Sequence, residues 1–224
     1  MNPVSAQVVK TESFDGTQFP PFGWVAGKIS SIDPNNFTER AVAGVPAGTP
    51  APHSGVGMVR YKCGSMFIAG EQCFLASPAY DLTNNPGTAT VSFWMYKDVV
   101  NPGLKDSITL YINSSASAGA GKVKIMGPIS RDTVGFNGWK KYTAIIPPGF
   151  NNTHAYLVFV FTNRETSGAG PNLYMDDISI QTYPKPAVFV SSEVFYQETA
   201  DVSKGQSNQL IIGIKIIVDG AGGF

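Results

Sequence analysis

The chain has 224 residues, enough for one full-sized domain with a buried core plus a small appendage, and a tight fit for two complete domains. Hydrophobic residues make up 43% and charged residues 14%, which excludes disorder throughout. Sixteen basic residues balance sixteen acidic ones without a long run of either sign, so no field gathers a polyanion and nucleic acid is not an expected partner. No stretch approaches the ~18 consecutive apolar residues of a helical membrane span, so no membrane insertion is expected either.

In chain order, residues 1–9 lack the charged start and apolar run of a signal peptide, and Ser5-Ala6-Gln7 reads as the remnant of a small-residue cleavage site. Short apolar or alternating runs rich in Val, Ile, Phe, Tyr and Thr follow, separated by Gly, Pro, Asn and Ser. They cover residues 8–14, 65–69, 73–77, 88–96, 107–113, 122–126, 140–146, 155–162 and 173–182. Nine strands at this spacing predict an all-β, antiparallel two-sheet sandwich over residues 10–182. In 91–96 the alternation turns Val91, Phe93 and Met95 inward and Ser92, Trp94 and Tyr96 outward. Residues 155–161 are apolar in both phases, which predicts a central strand covered on both sides.

Between Gly27 and Arg60 the chain carries Pro34, Pro46, Pro50 and Pro52 and is expected to form a long irregular loop that either binds something or shields an edge. Residues 116–121 read as a hairpin tip. Cys63 and Cys73 flank a short hydrophobic segment, and two readings compete: a hairpin disulfide of an oxidising compartment, or two small core residues. Tyr183-Pro-Lys-Pro186 reads as a linker over 183–186, and residues 187–196 and 209–218 as two strands of a short C-terminal β extension, or the start of a truncated second domain, over 187–224.

Glu12-Ser-Phe-Asp-Gly16, Phe19-Pro-Pro-Phe-Gly-Trp24, Phe74-Leu-Ala-Ser-Pro78, Val91-Ser-Phe-Trp94, Gly138-Trp139 and Tyr174-Met-Asp-Asp-Ile-Ser-Ile180 occur in an order that resembles the cleaved-adhesin, or choice-of-anchor J, domains, jelly rolls related to the MAM fold. The resemblance implies a jelly roll from an exported bacterial protein, secreted or displayed at the cell surface beside proteases, sialidases or sorting domains. It further implies adhesion to glycans or host proteins. The aspartate- and glycine-rich turn that commonly follows the first Trp of that family is absent after Trp24, so a second metal site there is not expected. Over residues 188–220, Ser191-Ser-Glu-Val-Phe195, Lys204-Gly205 and Asn208-Gln-Leu-Ile-Ile-Gly-Ile-Lys215 resemble the start of an amino-terminal accessory domain of bacterial sialidase-like proteins.

Four acids are candidate ligands of a calcium ion. Glu12 and Asp15 lie at the end of the first strand and in its turn, and Asp176 and Asp177 in the last strand of the sandwich; first and last strands are neighbours in a jelly roll. Alternation from Ile180 and Ile178 places Asp176 inward and Asp177 on the other face, and an inward carboxylate needs a partner. The alternative is that the two aspartates cap turns or pair with Lys or Arg. Trp94 and Tyr96, projecting from one face, are candidate platforms for sugar rings, with Trp139, Tyr111, Tyr142 and Tyr156 also available; the competing expectation is that the long loop covers them. No Gly-x-Ser-x-Gly elbow, His-Glu-x-x-His helix or Cys-x-x-Cys pair is present, and His53 and His154 are read as loop residues. Two aspartates on opposite faces of a strand cannot flank a glycosidic bond, so no catalytic residue is assigned. The sequence thus predicts a calcium-stabilised, non-catalytic module binding glycans or host and surface proteins. A structural spacer in a larger secreted protein is the alternative, and a glycan-active enzyme would require a cleft with two facing carboxylates.

Overall fold

The computed structural model describes residues 7–30, 37–62, 69–83, 88–97, 106–131, 137–150, 153–163, 172–183, 189–191 and 215–217. By compactness the chain divides into Val4–Pro184 and a second unit of Lys185–Phe224 with Met1–Pro3. In the second unit two short strands, Phe189–Ser191 and Lys215–Ile217, pair antiparallel, with Phe189 opposite Ile217.

The first unit is a sandwich of twelve strands among the described residues: β1 Gln7–Glu12, β2 Val25–Lys28, β3 Phe37–Ala41, β4 Met58–Lys62, β5 Gln72–Ala76, β6 Tyr80–Asp81, β7 Thr88–Lys97, β8 Ser107–Asn113, β9 Val123–Ser130, β10 Gly138–Ile145, β11 His154–Thr162 and β12 Asn172–Tyr183. One sheet runs β10-β7-β12-β4-β3 with β1 also on β12, the other β2-β5-β11-β8-β9 with β6 also on β11. Every pairing is antiparallel. No described helix is long and apolar enough to cross a membrane.

The alternation read from residues 91–96 holds. Val91, Phe93 and Met95 are fully buried between the sheets, and Trp94 and Tyr96 lie half-buried on the outer face. Phe93 meets Phe159 of β11 edge-on at 5.3 Å between ring centroids, and Tyr61 stacks on Phe161 at 5.5 Å. The doubly apolar β11 is the middle strand of its sheet, because Leu157, Phe159 and Phe161 join the main core while Val158 and Val160 pack outward with Ala76 and Ala118. Ala118 belongs to the predicted tip between β8 and β9.

Three expectations need correction. The stretch between Gly27 and Arg60 is not one irregular loop, for it holds β3 and the start of β4. Those strands are hard to read because charges interrupt them; one of the charges is met across the pair, where Glu39 stands opposite Arg60 and forms an ion pair with it. Second, β2 and β6, only four and two residues long, carry too little alternation to register as runs. Third, the first strand ends at Glu12 rather than Phe14. Phe14 turns with a φ of 58° and plugs the core against Trp24, ring centroids 5.5 Å apart. Cys73 is buried on β5, while Cys63 and most of the run 65–69 lie outside the described residues, as therefore does the proposed disulfide.

Candidate functional site

The long strand β12 positions the site. One of its edges is taken by β7; along the other, β4 pairs with residues 172–175 and β1 with residues 178–182. Asp176 and Asp177 therefore fall in the gap between the start of β4 and the end of β1, where Glu12 stands opposite Ile178. At the same point the register with β7 shifts. Asp176 faces Trp94 and Ser179 faces Ser92, so two β12 residues oppose Phe93 alone, a β-bulge. Asp177 takes up the extra residue with a φ of 46°, a left-handed conformation that Asp tolerates better than most side chains.

The bulge overturns the expected orientation of Asp176. Met175 and Ile178 both point into the main core, so strict alternation is broken, and Asp176 sits opposite Trp94 on the outer face. It is nevertheless fully buried, because the segment joining β3 to β4 folds over it. Oδ2 of Asp176 accepts from the backbone N–H groups of His53 (2.9 Å) and Ser54 (3.3 Å), and Oδ1 from that of Asp177 (2.8 Å). Asp177 is not directed to the opposite face. Its Oδ2 lies 2.5 Å from His53 Nδ1, and its Oδ1 accepts from Ser54 Oγ at 2.7 Å. Both aspartates thus hold the same two loop residues. Burial pushes the Asp176 carboxyl up to about 7; the Asp177 charge adds to the rise, and the N–H donors oppose it.

Asp15 clamps the next part of that segment. Its Oδ1 accepts from Val56 N–H (2.5 Å) and Gly57 N–H (3.0 Å), and its Oδ2 from Ser13 Oγ (3.0 Å). The Val56 donor is the chief reason its carboxyl is held below the usual range. Glu12 accepts from Phe14 N–H at 2.7 Å, and Arg40 donates to the carbonyls of Phe14 (3.0 Å) and Asp15 (3.1 Å), bracing the turn between β1 and β2 from the side of β3.

Above the aspartates lies a cluster of rings. His53 stacks on Trp94 with centroids 3.7 Å apart and planes 18° apart, and Trp139 meets His53 edge-on at 6.0 Å. Trp139 donates through Nε1 to Ala51 O at 2.9 Å, and Tyr96 packs edge-on against both Trp139 (5.5 Å) and Tyr174 (6.3 Å). Tyr96 and Trp139 rest on Met58, Ala41 and Tyr174, while Trp94 carries the imidazole of His53 on its face.

Oxygen is the donor that a hard divalent cation takes, and the four predicted acids supply it in kind. In arrangement, the structure joins Asp176 to Asp177 and ties Asp15 to the same loop, with Glu12 one pairing away on β1; among the described residues no three of His, Cys, Asp and Glu are grouped to hold a metal ion. Sequence reasoning read His53 only as a loop residue and passed over Ser54 and Arg40. The prolines and glycines of the loop mark it as a cover, but nothing in their spacing says which of its residues reaches the bulge.

No family model matches the sequence, and no curated protein matches it. The architecture is that of an antiparallel two-sheet sandwich, and its fold is similar to that of cleaved adhesin domains. The K2 cleaved adhesin domain of Lys-gingipain is similar with a TM-score of 0.53 at 14% identity, over 76% of this chain and 96% of that one. The K3 cleaved adhesin domain of Lys-gingipain from Porphyromonas gingivalis is similar at 0.50 and 16% identity, over 78% of this chain and 98% of the other.

Proposed function

We infer that this sandwich is a non-catalytic binding module of an exported bacterial protein, secreted or displayed at the cell surface, which takes a glycan or a surface protein on the outer face of the β10-β7-β12-β4-β3 sheet. The observation that carries this is the ring cluster of Trp94, Trp139, Tyr96 and His53 standing beside two aspartates. Flat aromatic faces and hydrogen-bonding carboxylates suit both sugar rings and protein side chains. The fold's likeness to adhesin domains agrees with it. Arrays of glycans and of bacterial and host surface proteins test it: the full chain should be retained on some member, and Trp139→Ala should reduce retention. No retention anywhere would overturn binding in favour of a structural spacer or accessory domain of a larger secreted protein, a reading that the covering of Trp94 by His53 favours.

A calcium ion held by Asp176 and Asp177, with Glu12 and Asp15, belongs to the same proposal. Its support is the oxygen chemistry of the four acids and a buried carboxylate that feels the charge of the carboxylate next to it in the chain. When bound, the ion would neutralise that pair and stiffen the gap between β1 and β4. Thermal unfolding in excess calcium and in chelator decides it. Calcium at about a hundredfold its Kd should stabilise by ~2.7 kcal/mol, and coincident transitions would remove the ion from the proposal.

A further inference from the structure

We propose that the slot between Trp94 and Asp177 is a guanidinium site for an arginine side chain of a partner protein, kept filled in the free molecule by the chain's own His53. This rests on the binding reading above and selects its protein arm. The imidazole makes the contacts that a bound guanidinium makes. It lies flat on an indole at 3.7 Å, presents a ring nitrogen to a carboxylate oxygen at 2.5 Å, and is walled on one side by Trp139 at 75°. A planar, delocalised cation satisfies a stack and a carboxylate together, which an ammonium does less well.

With no calcium ion bound, the charges facing the slot favour a cation. Asp177 stands at its floor with the buried Asp176 next to it in the chain, and Asp15 and Glu12 lie along the same gap. Against them stand Arg40, occupied by the carbonyls of Phe14 and Asp15, and Lys141, opposite Trp94 on β10. The slot is also reachable. The side chains of His53 and Asp177 keep 27% and 23% of their surface exposed. His53 is anchored to Asp176 through its backbone N–H, so its ring can rotate out while the loop stays latched. A ligand must then displace a tethered competitor, and its apparent affinity is lowered by the fraction of molecules in which the slot is closed.

Titration of the full chain with N-acetyl-arginine amide, followed by tryptophan fluorescence at constant ionic strength, tests this. The isosteric neutral citrulline amide and methyl glycosides serve as the other arms. A saturable change with arginine and not with citrulline is expected. His53→Ala should tighten it about tenfold if the slot is open in about a tenth of molecules, Trp94→Phe should retain it, and Asp177→Asn should weaken it. An equal response to citrulline, or none to arginine even in His53→Ala, would overturn the arginine site. In that case retention on protein or glycan arrays would still uphold the binding module, and a response to glycosides alone would assign the slot to sugar instead.

Discussion

At Asp15 a single carboxylate holds two consecutive loop amides, those of Val56 and Gly57, and the loop backbone approaches it closely. A methyl group added at Gly55, whose φ is 59°, would lie 2.1 Å from Oδ1 of Asp15; one added at Gly57 would lie 2.1 Å from the Phe14 carbonyl. Neither neighbour is the free end of a flexible side chain. Gly57→Ala is therefore expected to cost about 2 kcal/mol or more in urea unfolding. Asp15→Ala leaves both amides without their acceptor and should cost about 1–2 kcal/mol. At Asp177 the left-handed backbone sets the ranking: Asp177→Val should destabilise more than Asp177→Asn by about 1 kcal/mol, read as the difference between their unfolding midpoints.

Among the elements, β11 and β12 carry the most. Each is paired along both edges, and each divides one edge between two partners, β5 and β6 on β11 and β4 and β1 on β12. β11 is also covered on both faces, by the main core on one and by Ala76 and Ala118 on the other, which is why its composition announced it. Phe159 stands in the main core against Phe93, and Phe159→Ala is expected to cost about 3–5 kcal/mol in chemical unfolding, against well under 1 kcal/mol for Val123→Ala on the exposed side of β9. In β12 the split edge leaves a gap, and the bulge beside it turns Asp176 out of the core and under the loop. The alternation of residues 174–180 predicted the opposite face, because a period of two carries no trace of an inserted residue until the partner strand is known.

At the scale of the whole molecule, Val4–Pro184 forms one compact unit with both sheets and the main core inside it. A polypeptide of residues 4–184 is accordingly expected to unfold in one cooperative step, with tryptophan fluorescence and far-ultraviolet circular dichroism giving coincident midpoints; separate midpoints would show a populated intermediate and overturn the single cooperative unit. The all-β class, the inward set Val91, Phe93 and Met95, the central β11 and the hairpin tip were determined by the sequence alone, since each depends on side chains alternating along a single strand. The strands β3 and β4, the bulge at Asp177, the burial of Asp176 and the seating of His53 on Trp94 were decided only in the tertiary structure. Each of these joins residues far apart in the chain, as Glu39 joins Arg60 and His53 joins Asp177, and a local pattern cannot encode which distant donor will satisfy a buried charge.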